Sequence, residues 1–218
     1  MDPQSTRAVR TLKPTLRLVK NSIAADMPSA DVEVYASLLR ALGHLQVRWY
    51  IFGAQAAILH GAARFTEDID ITVDLGTRTT RVLTDALQSE GFQARVTDDE
   101  FIERTRVLPI LHAATGIPVD VVLAGPGLEE RFFEGVVLVE IEGIAVPVAR
   151  AEDLVVMKIL AGRPKDIEDV VTILGTKKNT FDVQRVRDLI RLLEQALDQR
   201  DLEPLLDTCL ARIKKKPR

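Results

Sequence analysis

The 218-residue chain carries one cysteine, Cys209. It cannot close an internal disulfide, and nothing beside it has the spacing of a metal-ligand cluster. A reducing, cytoplasmic setting is the simple expectation. Long hydrophobic runs are missing too: no stretch approaches the ~20 apolar residues that a spanning helix needs. The polar N-terminus carries Arg7, Arg10, Lys13, Arg17 and Lys20 with no apolar block behind them, so neither a membrane span nor a signal peptide is expected. Excess positive charge is absent. The 29 Lys and Arg stand against 32 Asp and Glu, a formal net charge of −3, which excludes a protein that coats DNA through bulk charge. A local basic patch remains compatible with that balance. His44 and His112 have no partners at metal spacing, and no repeat or low-complexity segment occurs before the lysines at 214–216.

What the chain does have is core-forming material. Hydrophobic residues make up 46% and charged residues 28%, a globular balance with enough apolar side chains for one compact unit and a helical appendage. Residues 1–30 read as a polar arm with one short helix, punctuated by Pro14 and Pro28. Asp31 then caps a helical pattern that places Val34, Leu38, Leu39 and Leu42 on one face and is expected to stop at Gly43. Strands are expected at 48–52, 69–75, 92–96, 107–113 and 118–124, with a hairpin around Glu142 and Gly143. Helices are expected at 54–59 and 80–90, and from 150 onward the pattern is helical throughout: 152–161, 165–175, 182–198 and 202–213. This order predicts an α+β fold, a mixed sheet with flanking helices and a helical C-terminal part. The division is a 1–30 arm, a 31–150 α/β core and a 151–218 helical part that completes the site.

Chemistry concentrates between residues 51 and 71. A strand ends at Gly53, a short helix follows, and the next strand opens with Asp68-Ile69-Asp70. Residues i and i+2 of a strand share a face, so Asp68 and Asp70 project together while Ile69 and Ile71 enter the core. Two carboxylates so close repel each other unless a cation lies between them, and hard oxygen ligands suit Mg²⁺ (or Mn²⁺) together with substrate phosphates. A glycine ahead of a short helix lets phosphate approach unpaired backbone N–H groups, which makes Gly53, Ala54 and Gln55 candidates for the nucleotide. Asp120, a lone acid in the apolar run Val119-Asp120-Val121, needs a cation or donors beside it. If its strand neighbours that of Asp68, three carboxylates meet, and Asp120 can also serve as general base.

These residues resemble the nucleotidyltransferase superfamily built on the DNA polymerase β palm. Within it, His60-Gly61, Arg64 and Thr66-Glu67-Asp68-Ile69-Asp70 are similar to the AbiEii/AbiGii-type group of toxin–antitoxin pairs. Glu152-Asp153-Leu154, Met157-Lys158, Arg163, Lys165-Asp166 and Asp169 continue the likeness over roughly residues 32–175. Ala54 departs from the pattern, standing where many relatives carry Ser or Gly; Gln55 is the substitute donor.

The resemblance implies transfer of a nucleotide from an NTP to an acceptor hydroxyl with release of pyrophosphate. The acceptor it implies is RNA such as the tRNA 3′ end, and a cognate antitoxin protein is the implied partner. Asp68, Asp70 and Asp120 would be the metal and catalytic acids. Lys158 would act on the phosphates, with Arg64 and Asp166 beside the nucleotide. Each residue has a plainer reading: His60 as packing, Lys158 as a chain snorkelling to solvent, Asp74 as a turn cap, Asp166 and Asp169 as helix-start acids. The rival functions are a small-molecule, aminoglycoside-like acceptor and a non-catalytic nucleotide-sensing or partner-binding module.

Overall fold

The computed structural model describes residues 18–20 and 29–215. The short helix expected in the arm lies outside the described residues. The strands are β1 (Leu18–Lys20), β2 (Arg48–Phe52), β3 (Ile69–Asp74), β4 (Phe92–Ala94), β5 (Val107–His112), β6 (Pro118–Leu123), β7 (Val137–Ile141) and β8 (Ile144–Val148). The helices are α1 (Ser29–Leu45), α2 (Gly53–Leu59), α3 (Thr80–Ser89), α4 (Asp99–Thr105), α5 (Leu128–Glu134), α6 (Ala151–Ala161), α7 (Pro164–Thr176), α8 (Val183–Leu197) and α9 (Leu202–Lys215). The fold is α+β, as the residue pattern predicts. No helix among the described residues is long and apolar enough to cross a membrane.

One mixed sheet of eight strands runs in the order β1-β7-β8-β2-β3-β6-β5-β4. At its centre β3 pairs antiparallel with β2 and parallel with β6. Alternation sorts the side chains: Trp49, Ile51, Ile69, Ile71, Val73, Val119 and Val121 are buried in a single core with Val34, Tyr35, Leu38 and Leu42 of α1. The opposite face carries Tyr50, Phe52, Asp70 and Asp120, and there Tyr50 packs edge-on against Phe133 of α5 with ring centroids 4.9 Å apart. The C-terminal helices pack as a cluster, α6 against α7, α8 and α9, and α9 against α7 and α8 as well.

Four expectations need correction. Gly43 does not stop α1, which continues to Leu45. The stop is Gln46 in the left-handed region, φ +53, with Gln46 N–H donating to Gly43 O (3.0 Å) and Val47 N–H to Leu42 O (3.3 Å). That is the Schellman pattern of bonds, made here without glycine. Two short helices, α4 and α5, lie where no element is expected. Asp98 caps α4 by accepting from the N–H groups of Glu100 and Phe101. Residues 18–20 form an edge strand parallel to β7 rather than belonging wholly to an arm. The strand expected over 92–96 ends at Ala94.

Candidate active site

Register builds the site. Across β2, β3 and β6, Phe52 stands opposite Asp70 and Asp70 opposite Asp120. Cross-strand partners share a face and lie about 5 Å apart, so the two carboxylates are neighbours although 50 residues separate them in sequence. Asp68 is exposed just ahead of β3, and the Thr66 hydroxyl donates to its carboxylate. Gly53 adopts φ +66, and a β-carbon there would stand 1.8 Å from Asp70 Oδ2. The missing side chain therefore makes room for the Asp70 carboxylate, which also accepts from the Ala54 N–H.

Burial pushes the Asp70 carboxyl up to about 6, and the nearby charges of Asp68 and Asp120 add to the effect, against the Ala54 N–H and the Lys158 ammonium. This surplus of negative charge is what a divalent cation relieves, and the donors are hard oxygens, so the residues fit Mg²⁺. Among the described residues no three acidic, imidazole or thiol groups stand together as a finished ligand cage. Asp68 is engaged by Thr66, Asp70 by Ala54, and Asp120 by Arg95, whose Nη1 lies 3.7 Å from Asp120 Oδ1.

Gln55 is buried, and its amide Nε2 donates to Asp31 Oδ2 at 3.2 Å, so it ties α2 to α1 instead of offering a free donor to phosphate. Lys158 does not snorkel. It is 4% exposed, and its Nζ donates to Asp166 (3.2 Å) and Asp169 (2.7 Å). The turn at Gly162, φ +63, folds α7 back along α6 and brings these acids to the lysine. Arg64 reaches the same cluster, 2.7 Å from Asp169, and Arg163 contacts Asp166. Burial works against ionisation of Asp166, but Arg163 and Lys158 outweigh it and hold the carboxyl below the usual range. Arg64 thus pins the loop leading to Asp68 onto α7. In that loop Phe65 is 77% exposed.

His60 is buried with a ring nitrogen 2.7 Å from Ala149 O, the packed role. Asp74 accepts from Gly76 N–H at 2.9 Å, the turn-capping role. Sequence reasoning missed Arg95, which only the strand order brings to Asp120. It also passed over Asp153 as an ionic centre. That residue is fully buried 2.9 Å from Arg185 and 3.6 Å from Arg150.

A mixed sheet that carries a glycine-flanked Asp-x-Asp strand beside a third strand acid defines a nucleotidyltransferase-type α+β protein. Residues 32–206 match the family model described as Nucleotidyltransferase of unknown function (DUF6036), and the chain belongs to that family. No curated protein matches its sequence. The fold is similar to the solution structure of the antibiotic-resistance factor ANT(2″)-Ia, with TM-score 0.56 and 18% identity over 79% of this chain and 97% of that one. It is also similar to an antigenic nucleotidyltransferase-like protein from Paracoccidioides brasiliensis, with TM-score 0.53 and 19% identity over 83% and 94%.

Proposed function

We propose that this nucleotidyltransferase moves a nucleotide from an NTP to an acceptor hydroxyl in a Mg²⁺- or Mn²⁺-dependent reaction that releases pyrophosphate. The observation that carries the reading is the register of Asp70 opposite Asp120, with Asp68 at the mouth of the same strand. These three acids would hold the metal, which when bound neutralises phosphate charge and polarises the bond to the leaving group. Asp120, partly exposed, takes the proton of the acceptor hydroxyl. Gly53 and Ala54 seat Asp70 beside the nucleotide. Lys158, Arg64 and Asp166 fix the wall formed by α6 and α7, with Lys158 assisting on the phosphates. In this reading residues 31–150 form the catalytic core and residues 151–218 the helical part that completes it.

The proposed acceptor is RNA such as the tRNA 3′ end, in the cytoplasm, with the protein acting as the toxin of an AbiEii-like toxin–antitoxin pair restrained by a cognate antitoxin. The support is the motif resemblance at His60-Gly61 and Arg64 through Asp70, together with the exposed ring of Phe65, a platform on which a base can stack. A small-molecule acceptor is the second reading, favoured by exposed Glu67 beside Asp68, which would suit a cation. Incubation with labelled NTPs, Mg²⁺ and either total cellular RNA or kanamycin separates the two. Label on RNA with none on kanamycin is expected, and Asp70→Asn should abolish it. Label on kanamycin alone would remove the RNA reading.

A further inference from the structure

Arg95 follows β4 directly, and its N–H donates to Pro109 O on β5 at 2.9 Å. Pro109 stands opposite Asp120, and Asp120 opposite Asp70. Position 95, Pro109, Asp120 and Asp70 therefore form one rank across the sheet. Strands are spaced about 4.8 Å apart, so Arg95 starts two strand steps from Asp120. The short proline ring between them leaves the way open for its side chain. The resulting contact is single and, at 3.7 Å, longer than a hydrogen bond; the side chains are 49% and 39% exposed. A pair held so loosely adds little to the fold, and its guanidinium is free to change partners.

The rank also has a direction. Gly53 abuts Asp70 at one end, and Arg95 lies beyond Asp120 at the other. On the proposed reading of the acids, which this inference rests on, the nucleotide belongs to the Gly53 end. The acceptor then approaches Asp120, the acid that takes its proton. We infer that Arg95 is an acceptor-binding residue whose guanidinium takes a phosphodiester of a nucleic-acid acceptor. The planar fork of donors matches two phosphate oxygens, and a fixed positive charge there repels a polycation. When the phosphodiester binds, Arg95 leaves Asp120, which frees the carboxylate for the hydroxyl proton.

The test uses the full chain and its Arg95→Ala and Arg95→Lys variants. Binding of fluorescein-labelled tRNA is followed by anisotropy in Mg²⁺ without NTP, across a salt series. Mg·NTP binding is measured separately by calorimetry, and thermal melts report folding. Arg95→Ala should weaken tRNA binding about tenfold and lower the slope of log K against log salt by about one, with Arg95→Lys recovering part of both. NTP affinity and melting temperature should stay at wild-type values. Unchanged tRNA affinity and slope in Arg95→Ala would overturn the inference. So would wild-type protein that does not bind tRNA, or a variant that loses tRNA and NTP binding together with its melting temperature. Wild-type protein that binds tRNA through Arg95 but never binds Mg·NTP would sink the proposed reaction and leave the anion site standing.

Discussion

The carboxylate of Asp70 occupies the space that a side chain at position 53 would fill: a β-carbon on Gly53 would stand 1.8 Å from Asp70 Oδ2. The glycine is required twice, since φ is +66 and left-handed backbone costs other residues roughly 1–2 kcal/mol. Gly53→Ala is therefore expected to push Asp70 out of line with Asp120. A shift of about 1 Å in a reacting constellation costs on the order of 10²-fold in rate. Nucleotide transfer should fall by about that factor while the far-ultraviolet circular dichroism spectrum stays native. Wild-type turnover in this variant would mean that Asp70 is not where the chemistry occurs.

Asp70 also gives a pH signature. Its folded pKa of about 6 lies above the ordinary aspartate value of 3.8, so ionising it costs the fold. The penalty is absent below about 3.8, grows as pH rises, and is complete above 6. About two pKa steps at ~1.4 kcal/mol each, reduced because the group is partly exposed, leave roughly 1–3 kcal/mol. Asp70→Asn should melt several degrees above wild type at pH 7.5 without divalent ions, and the gap should close by pH 4. Mg²⁺ should stabilise wild type at pH 7.5 and leave the variant nearly unmoved. Equal melting of the two proteins at every pH would refute the crowding of charge at the site.

Much of this arrangement was legible in the residues. Period-two alternation located β3 with its acids, and a lone acid among valines marked Asp120. Their adjacency was not legible, because parallel pairing of β3 with β6 is decided by the whole sheet and not by either strand. Arg95 was hidden for the same reason, two strands further out. The short helices α4 and α5 have seven residues each, about two turns, too few for a helical period to show. At Gly43 the weak local signal of one glycine lost to the packing of Leu45, which lies against the core beyond it. Lys158 read correctly as part of an apolar helix face. The acids that neutralise it come from the following helix, so the plainer of its two readings, a chain snorkelling to solvent, does not hold.

Those acids make Lys158 a structural residue whatever else it does. Asp166 and Asp169 are 1% and 5% exposed, and removing the ammonium leaves both buried without their shared partner. Breaking a buried pair typically costs 3–5 kcal/mol. Arg64 and Arg163 remain in contact with the same acids, so roughly 2–4 kcal/mol is expected for Lys158→Ala, measured by urea unfolding. On the proposed reading Mg·NTP affinity should fall as well, because the ammonium's charge acts on Asp70. Because the variant is destabilised, calorimetry is to be run well below its melting transition. An unfolding free energy within about 0.5 kcal/mol of wild type would show that the cluster does not bear on the fold.

The second buried ionic centre joins α6 to α8. Asp153 is fully buried, Arg185 donates to its Oδ1 at 2.9 Å, and its Oδ2 has no hydrogen-bond partner among the described residues. Burial pushes its carboxyl up to about 6, while the charges of Arg185 and Arg150 pull the other way. With the folded pKa above the ordinary aspartate value of 3.8, the stability this group contributes is present below 3.8 and lost as pH rises through 6. Arg185→Leu removes the largest opposing interaction, so the folded pKa climbs further and the loss extends above pH 6. The variant should trail wild type by a constant amount from lost hydrogen bonds near pH 5. That deficit should widen by roughly 1–3 kcal/mol between pH 6 and 8. Unfolding free energies of the two proteins across this range decide the matter. A deficit that stays flat with pH would mean that Arg185 does not set the ionisation of Asp153 and holds α8 to α6 through its hydrogen bonds alone.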